Sequence, residues 1–290
     1  MIDRRAVVIG AGALATACMG YPHESRRARV DFRGLQESLG PGGRLGVAAL
    51  DVASGRRLAH DEAGRYAMAS TFKVALAGAI LAEAERGALA LDREIAFGPG
   101  DLVSHSPVLE AHLQRGRLPV ERLARAIVEV SDNGAANLLL ARIGGPAGLT
   151  AFIRRCGDAV TRLDRPEPEL NSNLPGDPRD TTTPAAMVGL LHALLLGDAL
   201  GPASRARLIG WMEGATTGRD RLRAGFPAGW RVGDKTGTGA NGAHNDIAIA
   251  WPPGRGPILI ASYQSGGNAD AATRNAVHAS VARAVAAAFL

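Results

Sequence analysis

Apolar and polar positions divide this chain into a strand-like start, a helical middle and a strand-rich end. Residues 45–51 (Leu-Gly-Val-Ala-Ala-Leu-Asp) alternate and then turn at Ser54-Gly55, which predicts a strand and a hairpin. From 70 to about 88 the sequence is apolar, rich in alanine and poor in breakers, so a buried helix is expected there. Helical periodicity then dominates to about residue 212, most clearly over 119–130, 133–143, 146–156 and 183–196. Residues 162–184 interrupt it with a segment rich in Pro, Asp and Arg that has no period. An irregular loop of that length inside a compact domain is usually functional. Strands are predicted again at 230–234, 246–251 and 258–264, and residues 270–289 form a closing helix. With strands at both chain ends and helices between them, the expected fold combines an α/β part with an all-α part. An antiparallel sheet is assembled from both ends and packed beside an inserted helical region. The corresponding division is an α/β part over 26–61 and 213–290, and a helical part over 62–212 that contains the 162–184 loop. Neither internal repeats nor a low-complexity linker is visible.

Composition narrows the partners. The chain has 290 residues, 46% hydrophobic, 21% charged and 4% aromatic, so its core must be built mainly from Ala, Leu, Val and Ile. A net charge of +5 raises the question of nucleic acid. The arginines, however, are scattered among Asp and Glu, and no aromatic platforms lie between them, which argues against that partner. A solvated surface mildly attractive to anions fits better. At the N-terminus, Arg4-Arg5, an apolar stretch over 6–17 and small residues ending in Ala15-Thr16-Ala17 form an export signal. The stretch is shorter than the ~20 residues needed to span a bilayer. Residues 3–8 also fit a twin-arginine signal loosely, so a periplasmic or secreted location is expected. Gly10 and Gly12 lack the third glycine of a dinucleotide fingerprint. Of the two cysteines, Cys18 lies at the expected cleavage point, where lipidation is the alternative reading, and Ala15 fits a lipidation site poorly. That leaves Cys156 unpaired and buried.

One count directs attention to chemistry. Of the 33 basic residues only two are lysine, Lys73 and Lys235. Arginine serves as well on a surface, but not where a compact ammonium is required or where the amine must give up its proton. Both lysines sit in short polar motifs, Ser70-Thr71-Phe72-Lys73 and Lys235-Thr236-Gly237-Thr238. Ser70 and Lys73, three apart at the start of the apolar helix, share one face. A serine hydroxyl needs an adjacent base to act as nucleophile, and a buried lysine can be that base. A helix N-terminus at Ser70 also offers backbone N–H groups to an oxyanion. An isolated match of this kind is usually a capping serine beside a solvated lysine. Here it is accompanied by Ser131-Asp132-Asn133 opening another helix and by Lys235-Thr236-Gly237 ending a strand.

In that order the three motifs resemble those of the class A β-lactamases and the penicillin-binding proteins. The loop separates the two families. Arg165-Pro166-Glu167-Pro168-Glu169-Leu170-Asn171 contains E-x-x-L-N, similar to the omega loop of class A β-lactamases, and its flanks over 161–165 and 177–184 resemble the same family. So do residues 143–146 and 245–248, and the likeness covers the chain from about Phe32 onward. The resemblance implies a five-stranded antiparallel sheet flanked by helices, with the helical insertion. It also implies hydrolysis of penicillins and cephalosporins through an acyl-enzyme on Ser70. Lys73 and Ser131 would relay protons, and the backbone N–H groups of Ser70 and Thr238 would form the oxyanion hole. Asn133 would bind the substrate's side-chain amide. Lys235, Thr236, Gly237 and Thr238 would hold its carboxylate, supported by Arg221. Glu167 would activate the deacylating water, with Asn171 holding that water from the other side. Whether Lys73 or Glu167 takes the first proton stays open at this level. Arg165 and Asp180 would bridge the neck of the loop as a surface pair, helped by Arg162 and Asp164.

Some positions depart from the family pattern. His105 stands where an aromatic gatekeeper is usual, and Asn241 where tyrosine is common. Ala69, with no cysteine near Ala240, excludes the disulfide of class A carbapenemases and turns the expectation away from strong carbapenem hydrolysis. The seven histidines show no metal-ligand spacing, so neither metal nor cofactor is expected. The implied partner is a small β-lactam acting on a monomer, with no nucleic acid and no stable membrane span. A D-alanyl-D-alanine peptidase or a sensor that acylates and stalls are the rival readings, and Glu167 and Asn171 argue against both.

Overall fold

A computed structural model describes residues 32–290 of the chain. Arg4, Arg5 and 6–17, expected to form an export signal, and Cys18 lie outside the described residues. Helix α1 (Arg33–Glu37) leads into strand β1 (Arg44–Asp51) and hairpin partner β2 (Arg57–His60). The short strand β3 (Tyr66–Ala67) and a 3₁₀ turn, Ala69–Thr71, precede helix α2 (Phe72–Glu85). The chain continues through β4 (Glu94–Ala96), α3 (Pro107–Ala111), β5 (Arg117–Pro119), α4 (Val120–Glu129), α5 (Asn133–Arg142) and α6 (Gly145–Arg155). After the irregular loop come β6 (Thr181–Thr182), α7 (Pro184–Leu195), α8 (Pro202–Glu213), β7 (Arg231–Thr238), β8 (His244–Trp251), β9 (Ile258–Ser265) and α9 (Ala271–Phe289).

Five strands join in the order β2-β1-β9-β8-β7, every pair antiparallel, so the sheet draws on both ends of the described chain. Both faces of this sheet are covered, and side chains alternate between them. Val47, Ala49, Ala248, Ala250, Ile258 and Ile260 pack with Val281 and Val285 of α9 on one face. Ala48, Ile247, Ile249, Leu259, Ala261 and Tyr263 pack into the larger cluster with the helices on the other. Coverage of both faces explains why β1, β8 and β9 are buried nearly throughout. Helix α2 is the central post of the helical side. Every residue from Phe72 to Leu81 is buried, which is why its sequence is apolar all round rather than striped. Asp132, Thr183 and Asp270 cap α5, α7 and α9 by accepting from Ala135, Ala186 and Thr273 N–H groups. Among the described residues no single helix is long and apolar enough to cross a membrane.

Three expectations need correction. The strand predicted at 230–234 runs on to Thr238, so Lys235-Thr236-Gly237 forms the paired last half of β7, one residue short of its end. Its polar residues lack a strand's apolar alternation, but their pairing with β8, Lys235 opposite Ile247 and Thr238 opposite His244, supplies the ladder. Cys156 is half-buried rather than buried, standing at the C-terminal cap of α6. The Arg165–Asp180 pair is not a surface pair, since Asp180 is fully buried.

Candidate active site

The 3₁₀ turn at Ala69–Thr71 brings Ser70 to the lip of a cleft between the end of β7 and the start of α5. Ala69 holds φ +43° and Ser131 φ +63°. Neither residue favours that region, and such backbone persists only where its surroundings over-determine it. For Ala69 the brace is visible: Asn245 Nδ2 donates to the carbonyls of Ala67 (2.9 Å) and Met68 (3.1 Å), and Met68 N–H donates to Asp180 O at 2.9 Å. Gly237 lets β7 pass directly beside this turn. A Cβ there would lie 2.7 Å from Met68 O and 3.1 Å from Ser70 N, so only glycine fits.

Lys73 lies one turn further along, fully buried. Its Nζ is 2.9 Å from Ser70 Oγ, 2.8 Å from Ser131 O and 3.3 Å from Ser131 Oγ, and it also donates to Asn133 Oδ1. Glu167 Oε1 sits 3.0 Å from the same amine and 3.5 Å from Ser70 Oγ. Burial pushes the Lys73 amine below its ordinary range, and the charge of Glu167 opposes that shift without cancelling it. One face of Ser70 is thus flanked by an amine of lowered basicity and a buried carboxylate.

Glu167 is held from several sides. Asn137 clasps its backbone, accepting from Glu167 N–H at 2.9 Å and donating to its carbonyl at 2.8 Å. Asn171 Nδ2 donates to Glu167 Oε2 at 2.6 Å, while Asn171 Oδ1 is buried with no protein partner. An acceptor left bare beside a carboxylate suits a hydrogen-bond donor arriving from the cleft. At the neck of the loop, Asp180 accepts from the N–H groups of Asp164 (2.7 Å) and Arg165 (3.0 Å) and pairs with Arg165 Nε at 2.6 Å. Arg162 pairs with Asp164. The loop that carries Glu167 is closed at both ends.

The opposite wall is cationic. Lys235 Nζ donates to Ser131 Oγ at 3.0 Å and to Thr236 O at 2.8 Å. It is fully buried beneath the cleft, so it supplies charge and orients Ser131. Burial, with Lys73 and Arg221 nearby, pulls its amine well below the ordinary range. Arg221 spans the gap between strands, donating to Gly237 O (3.1 Å), Asn245 O (2.7 Å) and Thr238 Oγ1 (2.8 Å). Thr236, Thr238 and Arg221 line the cleft together with Ser70, Ser131, Asn133, Asn171 and His105, around a volume of 280 Å³. His105 is fixed by a contact of 2.8 Å between Nε2 and Val130 O. Asn133 Nδ2 donates to Ser104 O at 2.7 Å.

A family model described as the beta-lactamase enzyme family matches residues 33–289. The chain belongs to the class A β-lactamases. It is similar to beta-lactamase AST-1 of Nocardia asteroides, 48% identical over 244 residues, 84% of this chain and 78% of that protein. It is also 48% identical to the carbapenem-hydrolyzing beta-lactamase KPC of Klebsiella oxytoca, over 83% of each chain. The solved structure of an ancestral class A β-lactamase superposes with a TM-score of 0.86 at 56% identity, covering 88% of this chain and 97% of that one. Class A β-lactamases are hydrolases that open the β-lactam ring through a serine acyl-enzyme, and this chain is one of them.

The structure brings together the residues given catalytic or substrate-binding roles in the sequence: Ser70, Lys73, Ser131, Asn133, Glu167 and Asn171 on the helical side, Lys235 to Thr238 and Arg221 on the sheet side, with His105 at the rim. Sequence reading missed three supports of this β-lactamase site. Asn137 lies four residues after Asn133, on the same face of α5, and that spacing was the available signal. Asn245 braces the turn before Ser70. Thr217 lines the cleft and bonds Thr236 Oγ1 at 2.7 Å, and no local pattern marks it.

Proposed function

We propose that Ser70 attacks the β-lactam carbonyl of penicillins and cephalosporins, with Lys73 as the base that takes its proton. The observation that carries this is the direct 2.9 Å contact between Lys73 Nζ and Ser70 Oγ, shorter than the 3.5 Å from Oγ to Glu167. As Oγ bonds to the carbonyl carbon, the oxyanion meets the N–H groups of Ser70 and Thr238. The ring C–N bond then breaks. Ser131 Oγ, held between Lys73 and Lys235, gives its proton to the departing nitrogen and regains one from Lys73. Thr236, Thr238 and Arg221 receive the substrate carboxylate over the buried charge of Lys235, and Asn133 faces the side-chain amide.

Deacylation belongs to Glu167. A water between Glu167, Asn171 Oδ1 and the ester loses a proton to the carboxylate as its oxygen bonds the acyl carbon; the C–Oγ bond breaks, Ser70 Oγ takes a proton from Lys73, and Lys73 recovers one from Glu167. The bare Oδ1 of Asn171 supports this placement. Within the described residues, 32–61 and 213–290 act as one part and 62–212 as the other, with the cleft at their seam, and the chain works as an exported monomer.

Mixing the protein with a chromogenic cephalosporin tests turnover. Sustained hydrolysis, many equivalents per enzyme, is expected. A single stoichiometric burst would instead assign the chain to a penicillin-binding peptidase or a sensor.

A further inference from the structure

Behind the catalytic loop lies a larger cavity, 550 Å³, that the mechanism does not use. A volume of this order suits a drug-sized molecule. Its walls come from residues 172–179 of the loop and from the turns at 42–44, 241–242 and 265–267. Gly266 and Gly267 both hold φ +67°, and a Cβ on either would lie within 2.4 Å of a backbone oxygen, so backbone forms that wall.

The charges around it are unequal: Arg44, Arg65 and Arg179 line the cavity against one acid, Asp177. Arg179 is committed to Asp177, and Arg44 to Asp61 at 2.8 Å. Arg65 is different. Its Nη1 is anchored by Thr181 Oγ1 (3.0 Å) and Val160 O (3.3 Å), and among the described residues it has no carboxylate partner. An anchored guanidinium without a counter-ion is pre-organised for an incoming carboxylate. The same cavity is lined by Leu174, half exposed, which apart from Leu290 is the only exposed large apolar side chain among the described residues.

This cavity adjoins the catalytic cleft through consecutive residues of the loop. Asn171 lines the cleft, while Ser172 and Asn173 line the cavity. Asn173 Nδ2 donates to Asn241 O (2.8 Å) and Ser265 Oγ (3.0 Å), and Asn241 Nδ2 returns a bond to Ser172 O at 3.0 Å. Ala240 N–H donates to Asn171 O at 2.8 Å.

We propose that this cavity is a second binding site for an amphiphilic organic anion, its carboxylate on Arg65 and its apolar group on Leu174, set back to back with the cleft across the Asn173–Asn241 clamp. Hydrolysis of a β-lactam releases such a molecule, carrying one carboxylate more than the intact drug. The intact drug shares the chemistry with one carboxylate fewer.

The test is backbone amide NMR on the full-length Ser70→Ala protein, titrated in turn with benzylpenicilloate, benzylpenicillin and acetate. Saturable shifts at Gly42, Asn173, Gly266 and Gly267 with benzylpenicilloate are expected. Arg65→Gln should weaken that binding by about fivefold or more, and Arg44→Gln, whose parent guanidinium is held by Asp61, by clearly less. Placed in the protein with Ser70 intact, both should leave kcat/KM on a chromogenic cephalosporin within about twofold of the parent. Shifts at those glycines with benzylpenicillin alone would keep the site and name the substrate as its ligand. Shifts confined to the cleft, none at the cavity up to about 10 mM ligand, or acetate binding as well as the penicilloate would overturn the proposal.

Discussion

Lys73 Nζ and Glu167 Oε1 stand 3.0 Å apart with neither side chain exposed, and Ser70 Oγ is within 3.5 Å of both. A charged pair so buried is stabilised only by close geometry and satisfied neighbours, and the oxygens of Ser131 and Asn133 provide them around the amine. Burial makes the amine easier to deprotonate, which is what a base for Ser70 requires. Lys73→Arg keeps a cation but cannot release its proton. Acylation in stopped flow should fall by about 10²–10⁴-fold, with circular dichroism unchanged. A loss smaller than about threefold would remove Lys73 from the role of base.

Asp180 closes the loop through two backbone N–H groups and Arg165, from a fully buried position at φ +58°. Alanine would lose those contacts and occupy an unfavourable backbone region, at about 1–3 kcal/mol. Asp180→Ala should retain its far-ultraviolet spectrum, hydrolyse benzylpenicillin roughly tenfold more slowly, and shift its preference among cephalosporins. Unchanged kinetics on both drug classes would show that the closed neck does not position Glu167.

Acid should weaken the fold partly through His244. Burial, with Arg221 and Arg274 close by, lowers its pKa from 6.5 to about 3. Between those values the unfolded chain takes a proton that the native protein refuses, so stability declines as pH falls from 6.5 towards 3. His278, stacked on His244 with ring centroids 5.3 Å apart, is pushed in the same direction by burial. The urea midpoint of His244→Gln should therefore drop less between pH 7 and pH 4 than that of the parent. Equal drops would assign acid sensitivity to other groups.

Much of this site was readable from spacing. Ser70 and Lys73 on one helical face, and Lys235 as the other of just two lysines, come together as their positions suggested. What stayed hidden depended on tertiary partners. Polar Lys235-Thr236-Gly237-Thr238 carries no strand period, and its place in β7 comes from pairing with Ile247 to His244. The burial of Asp180 follows from the turn it caps, which charge pattern alone does not reveal. Asn245 braces residues 177 and 178 positions earlier in the chain, a contact that no local window contains.

Acylation and release use different groups in this mechanism, with Glu167 needed to clear the ester on Ser70. Intact-protein mass spectrometry of Glu167→Ala after a brief exposure to benzylpenicillin tests it most directly. A single drug-sized adduct on Ser70 that outlasts the parent enzyme's by about 10³-fold or more is expected. An adduct that clears as fast as the parent's would contradict it.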